Sequence, residues 1–452
     1  MWKKYKICDI ATVLSGATPA TSDLANYDGE IVWITPKDLA LNNSKYISRG
    51  ERNLTEKGYK GCSTQLIPPY NILMSSRAPI GLLAINRTEC CTNQGFKNLV
   101  IDKSICDVDF FYYYLKYHIA EVQALGSGTT FKEVSKSSLQ SFVVSLPSLD
   151  EQKQIANILS TLDEKIALNR QINDNLEAMA RQLYDYWFVQ FDFPDENGKP
   201  YKSNGGKMVW NECMKKSIPA DWKTSLLSEW IDYSLERVST SVVSDGDFYT
   251  PIEVIPRNKM SLSTTLPVEN AVSGLCRYKK KDILLSNRRV YFHKICLAPF
   301  DGLTRDTVMV LRTKHEVNLG YIYETMFSDS FISYATKVSY GSLQPVLSWT
   351  EAQKYHVLTP AKNLSEKYGK LINGIIEKVL SSQMEIIQLT KQRDELLPLL
   401  MNGQATVNYH LSIRIKLLEL LAYSYFFLNF AELRHSIPTA DMQKNESINL
   451  TY

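Results

Sequence analysis

The chain has 452 residues, 44% of them apolar, with 51 Lys and Arg against 48 Asp and Glu. At roughly 100–200 residues per domain this length holds about two to four domains, and the apolar fraction excludes a disordered chain. A formal net charge of +3 excludes a uniformly basic surface, so a nucleic-acid partner requires local clusters of charge.

The start, Met1-Trp2-Lys3-Lys4-Tyr5-Lys6, lacks the apolar core of a signal peptide. Residues 1–148 read as a β-rich domain with a few helices. Short apolar runs such as Gly29-Glu30-Ile31-Val32-Trp33-Ile34 and Leu99-Val100-Ile101 alternate with turns, and Phe110 to Val122 is a helix candidate. Ile67-Pro68-Pro69-Tyr70 resembles the Asp/Asn-Pro-Pro-Tyr/Phe signature of adenine amino-methyltransferases. Ile67 cannot accept a hydrogen bond from a target amine, which leaves a turn leading into a strand.

This domain carries 16 Lys and Arg against 13 Asp and Glu. Candidate DNA contacts are Ser75, Ser76 and Arg77 after an apolar run, then Asn93 and Gln94, then Thr129, Thr130 and Lys132 in the turn that begins at Gly126. Such side chains bond base edges and phosphates. The same residue types also build turns at strand ends, and both readings stay open.

A long helix is predicted over 149–190. Ser148 precedes Glu151 by three positions, a capping-box spacing, just after Pro147. From Ile155, steps of four and three reach Leu159, Leu162, Ile166, Asn169, Asn173, Leu176, Ala180 and Leu183. Some 37 residues at 1.5 Å each make a helix of roughly 55 Å. Residues 191–214, with Phe193-Pro194-Asp195-Glu196-Asn197-Gly198 and Asn204-Gly205-Gly206-Lys207, have the turn-rich composition of a linker. Tyr201 stands where a phosphate-cradling loop needs its first Gly.

Residues 215–360 read as a second β-rich domain, with 18 Lys and Arg against 15 Asp and Glu. Its strand candidates include Thr307 to Leu311. Its basic stretch is Arg277 to Lys281 followed by Arg288 and Arg289. Lys279, Lys280, Lys281, Ser286, Asn287, Arg288, Arg289, Arg305, Ser342 and Gln344 are its candidate DNA contacts, the basic stretch being alternatively a solvated face. A second long helix is predicted over 361–403, with a seam at Tyr368, Ile372, Ile375, Val379, Ser382, Ile386, Leu389, Arg393, Leu396 and Leu400. The tail from 404 to 452 is atypical and partly helical by pattern. Leu411 to Leu433 is interrupted by Arg414, Lys416, Glu419 and Glu432, so it is no membrane span.

The halves form one diverged repeat. Gly128 recurs as Gly341, Pro147 as Pro360 and Leu183 as Leu396, each 213 positions later. Ile72 to Arg77 matches Ile283 to Arg288 at 211, and Trp2-Lys3 matches Trp222-Lys223 at 220. The repeat lays one helical seam onto the other, which predicts an antiparallel coiled coil with the β-rich domains at opposite ends and a pseudo-two-fold relation. The fold class is therefore α+β: two β-rich domains separated by two long antiparallel coiled-coil helices.

No nucleophile–base constellation stands out, and the six His form no metal-spaced pair. The eight Cys make no CxxC motif and fit free thiols in a reducing cytoplasm. The sequence favours binding over catalysis.

The turn at Gly126, the run Pro147 to Ala156, Leu183-Tyr184-Asp185-Tyr186-Trp187-Phe188, and Gln392 to Gly403 together resemble type I restriction–modification specificity subunits, over about residues 1–407. The resemblance implies a non-catalytic subunit whose two domains read a bipartite, asymmetric double-stranded DNA target. The helices would space the half-sites and dock two modification (adenine methyltransferase) subunits, with restriction (motor-nuclease) subunits joining for cleavage. S-adenosylmethionine, ATP and Mg would then be bound by partners and no cofactor by this chain. The tail departs from the family ending, which leaves a silent or recombined variant open, beside a coiled-coil adaptor that binds no specific DNA.

Overall fold

The computed structural model describes residues 2–404 except 43, 129–131, 241–242, 245–246 and 272–273. The tail beyond 404, its expected helix included, lies outside the described residues. The chain divides into unit 1, Met1–Glu164 with Gln392–Tyr452, and unit 2, Lys165–Lys391.

In unit 1 the strand Lys3–Lys6 pairs antiparallel with Val143–Leu146, so the two ends of the β-rich domain close on each other. Its main sheet runs Ala11–Ser15, Lys97–Ile101, Ile72–Met74, Leu83–Asn86, Tyr46–Ile47. Ile72, Leu73 and Met74 are fully buried, so this central strand is covered on both faces and reads as a continuous apolar run rather than an alternation. A smaller sheet joins Asn53–Leu54, Tyr27–Ile34 and Cys91–Thr92. The helix expected over Phe110 to Val122 is two helices, Val108–Tyr117 and Ile119–Ala124, meeting at His118. The first begins where the Asp107 carboxylate accepts from the Phe110 N–H at 2.9 Å.

Unit 2 repeats the plan. Lys223–Leu226 pairs antiparallel with His356–Thr359, and its main sheet runs Ile231–Ser234, Val308–Thr313, Ile283–Ser286, Ile295–Leu297. Each of these strands stands where a unit 1 strand does in the order Ala11–Ser15, Lys97–Ile101, Ile72–Met74, Leu83–Asn86, which is the structural form of the sequence repeat. The segment read as a linker is folded into unit 2. Phe191 and Phe193 are buried, Phe193 stacks on Trp222 at 5.2 Å, and Met208–Asn211 pairs with Lys216–Pro219. Its turn residues shape hairpins; its aromatic residues hold them down.

The long helices are Leu149–Tyr184, continued by a π turn at Asp185–Val189, and Lys362–Met401. The first starts at the expected cap, where the Glu151 N–H donates to the Ser148 hydroxyl at 3.3 Å. In unit 1, Ile155 and Leu159 share a core with Leu397, Leu400 and Met401, and Arg393 bonds Asp163. In unit 2, Asn169 bonds Glu385 and Trp187 packs on Tyr368. In each unit one helix advances as the other recedes, so the paired segments are antiparallel. The heptad residues Ile155, Leu159, Leu162, Ile166, Asn169, Asn173, Leu176 and Ala180 are buried, as are Tyr368, Ile372, Ile375, Val379, Ser382, Ile386, Leu389 and Leu400. The polar seam residue Asn169 meets the second helix near the middle of both. There the Asn169 amide donates to Glu385 Oε2 at 2.8 Å, and Lys165 reaches Glu385 Oε1 at 2.5 Å. Such contacts fix register at a cost in stability.

Candidate nucleic-acid interface

In unit 1 the strand Ile72–Met74 delivers Ser75, Ser76 and Arg77 to its end. Ser75 and Ser76 are fully buried. The Ser75 hydroxyl donates to the Pro79 carbonyl at 2.7 Å and accepts from the Leu82 N–H at 2.8 Å, which closes the turn 76–81. The Ser76 N–H donates to the Gly95 carbonyl at 2.7 Å. These two serines are turn-builders, whereas Arg77 is half-exposed. Arg77 lies in a β-bridge with Glu133, as does Ser127, so the segment after Gly126 folds back over the strand end. Lys132 is exposed on it; Thr129 and Thr130 lie outside the described residues.

The predicted segment at Asn93 and Gln94 joins the same edge. Asn93 Oδ1 accepts from the Gly95 N–H at 2.9 Å and shapes the turn. Gln94 is exposed, and its side-chain oxygen accepts from the Thr18 hydroxyl. At the centre is a group that the sequence reading missed. Glu133 pairs with the buried Lys97 at 3.0 Å and lies 3.9 Å from Arg77. Lys97 and Glu133 are 36 positions apart, and no local pattern signals their meeting.

Unit 2 builds the same edge from the equivalent residues. Ser286 is buried, and its hydroxyl donates to the Arg288 carbonyl at 2.9 Å. Arg288 forms the β-bridge with Val346, as does Tyr340. Val346 therefore occupies the place of Glu133, and no carboxylate stands there. The Asn287 amide donates to the Asp306 carbonyl at 2.8 Å, and the Arg289 N–H to the Pro345 carbonyl at 2.8 Å. Ser342 and Gln344 are exposed on the loop between Tyr340 and Val346.

This edge holds unspent polar capacity. Asn287 Oδ1, Arg289 Nε, Arg305 Nε and Thr307 Oγ1 are buried atoms with no hydrogen-bond partner among the described residues. Buried polar atoms are rarely left so, because each costs its desolvation. Arg305 and Thr307 also line a cavity of about 330 Å³ with Tyr249, Leu266 and Asn270. Burial pushes the Tyr249 hydroxyl pKa up, and the neighbouring Arg305 offsets part of that.

The basic stretch that looks continuous in sequence is divided. Lys279, Lys280 and Lys281 precede the strand Ile283–Ser286, while Arg288 and Arg289 follow it. Lys281 is paired with Glu316 and Glu377, and Lys280 reaches Glu377 at 3.4 Å. Those hydrogen bonds hold the Lys281 ammonium above the usual lysine range. The Lys279 N–H donates to Asp282 at 2.7 Å, and its side chain is exposed. Lys280 and Lys281 thus brace the domain on the second long helix, and the arginines face the loop 340–346.

Among the described residues no group of His, Cys, Asp and Glu has metal-binding geometry, and no helix is long and apolar enough to cross a membrane.

The model of one protein family, described as Type I restriction modification DNA specificity domain, matches residues 1–178. The chain is 31% identical over 435 residues to the type I restriction enzyme MjaIX specificity subunit of Methanocaldococcus jannaschii, covering 90% of this chain and 94% of that protein. It is 24% identical over 335 residues to the type I restriction enzyme HindI specificity subunit of Haemophilus influenzae, covering 61% of this chain and 72% of that one. Its fold matches the crystal structure of a type I restriction–modification S subunit from M. genitalium with a TM-score of 0.55 at 18% identity, over 88% of this chain and 96% of the other.

Proposed function

This chain belongs to the family of type I restriction–modification DNA specificity subunits, and from that premise we propose that its two units each read one half of a bipartite, asymmetric duplex target. It is a DNA-recognition subunit and not a catalyst. In this reading the helices set the gap between half-sites and dock two modification subunits, with restriction subunits joining them. S-adenosylmethionine, ATP and Mg belong to those partners, and the complex works in the cytoplasm.

The observation that carries the reading is the repeated edge. In both units a strand is followed within three residues by an arginine, Arg77 or Arg288, and a returning loop bridges it through Glu133 or Val346. Around it stand side chains suited to base edges and phosphates, Asn93, Gln94 and Lys132 in one unit, Asn287, Arg289, Arg305, Ser342 and Gln344 in the other. Duplicated edges that differ in side chains suit two half-sites of different sequence.

The test is methylome mapping of a methylation-free host that expresses this chain with its modification subunit. Methylated adenines in a two-part motif with a fixed gap are expected. An assembled complex that leaves the genome unmethylated, or methylates without a two-part motif, overturns the reading.

A further inference from the structure

The loop between Tyr340 and Val346 is closed at its base by two hydrogen bonds, Tyr340 N–H to Val346 O at 3.0 Å and Val346 N–H to Tyr340 O at 2.8 Å. Gly341 turns the chain with φ +97°, a conformation that side chains rarely adopt. At the tip stands Leu343, 88% exposed, more than any other large apolar side chain among the described residues. A lone exposed leucine is ordinary; the setting of this one is not. The Arg289 guanidinium donates to the Leu343 carbonyl at 3.4 Å, the Arg289 backbone holds Pro345, and Arg288 is bridged to Val346. Tyr340 at the loop base and Tyr291 beside the arginines are exposed as well. The loop is thus a braced apolar point flanked by cations.

That pattern matches the chemistry of an opened base step, with apolar base faces inside and phosphates on either side. Proteins that deform duplexes insert Leu, Phe, Ile, Met or Pro between base pairs in this way. We propose that Leu343 is a wedge that enters between two base pairs of the half-site read by unit 2, with Arg288 and Arg289 on the flanking phosphates. The inference rests on the reading of the chain as a DNA specificity subunit. It adds a source of specificity that needs no base-edge contact: a step that unstacks easily, such as pyrimidine–purine, is favoured at the wedge.

The test uses this chain assembled with its modification subunit on a duplex bearing the mapped motif, with 2-aminopurine placed at successive positions of both half-sites. A fluorescence rise is expected at one step away from the methylated adenine. It is lost in Leu343→Ala and kept in Leu343→Met. Leu343→Ala also weakens target binding about ten- to hundredfold, the worth of one buried leucine. The slope of affinity against salt stays unchanged, because no charge is removed. No rise away from the methylated adenine in the unaltered complex, or a rise that survives Leu343→Ala, overturns the wedge. So does a Leu343→Ala chain that fails to assemble with the modification subunit, which makes the loop a protein contact. An unaltered complex that neither binds nor methylates a two-part motif overturns the underlying reading instead.

Discussion

The Arg393 guanidinium donates to Asp163 Oδ1 at 2.8 Å, while the Tyr113 hydroxyl donates to the other oxygen of the same carboxylate at 2.7 Å. One acid therefore ties the end of the second long helix and the core helix Val108–Tyr117 to the first long helix, all within unit 1. Arg393 stands at a seam position and is its only charged member, and its side chain is only 16% exposed. Removing one member of a pair this buried leaves the other charge stranded. Arg393→Ala is expected to lower stability by about 2–4 kcal/mol, and Arg393→Met with Asp163→Asn to recover most of that. Denaturant titration of the three chains measures it; an Arg393→Ala chain as stable as the original removes the pair from the account.

The division of the basic stretch separates two kinds of lysine and arginine effect. Arg288→Ala is expected to weaken DNA binding at all sequences and to reduce the salt slope by about one. Lys281→Ala, whose ammonium is already paired with Glu316 and Glu377, is expected to leave the salt slope unchanged and to cost at most about 1 kcal/mol of stability. Affinity measured across a salt series distinguishes them. Equal loss of slope in both variants means that Lys281 leaves its carboxylates for phosphate.

Unit 2 also holds acids that resist ionisation. Burial pushes the Glu324 carboxyl up to about 8, and that of Glu177 up to about 7, with Arg181 opposing in both cases. Glu177 and Asp185 also face Glu324 and reinforce its shift. A raised folded-state pKa means that the native chain binds more protons than the unfolded one between roughly pH 4.5 and 8. Stability from these groups is therefore present below the unfolded carboxylate pKa and lost as pH rises through 7 and 8. Glu324→Gln is expected to melt higher than the unaltered chain at pH 9 and to differ little at pH 5.5. A melting difference independent of pH contradicts the assignment.

The heptad seam predicts how the target gap responds to helix length. Deleting seven matched residues from each long helix keeps the seam in phase. Each helix then loses about 10 Å, close to three base pairs at roughly 34 Å per duplex turn of about ten. Methylome mapping of such a variant is expected to return both half-sites with a gap shorter by about that amount. Unchanged spacing removes the helices as the ruler.

The linker shows where composition misleads. Pro194, Gly198, Gly205 and Gly206 do mark turns, yet Phe191 and Phe193 are core residues that seat the segment against Trp222. Turn chemistry is local, whereas the surface that buries an aromatic ring is contributed by residues far along the chain. The candidate contacts divide on the same ground. Ser75 and Ser76 lie in the right place, but both are buried, the Ser75 hydroxyl spent on the turn and the Ser76 hydroxyl on Glu133 and Lys97. Leu343, between two candidates chosen for their polarity, gave no polar signal and is the residue that the loop displays most.

What the sequence alone determined is periodic or duplicated: the repeat, the helical seam from Ile155 to Leu183 and from Tyr368 to Leu400, and the β-rich segments between. Helical period and repeat spacing are properties of neighbouring residues along one chain, so they survive without a fold. The tertiary structure decided which charges are free and which are spent. Glu377 takes up Lys281, Glu133 neutralises Lys97, and Val346 leaves Arg288 without an acid at the equivalent place. Each of these is a meeting of residues tens of positions apart. Coulombic pairing and burial depend on distance in space, and only folding sets that distance.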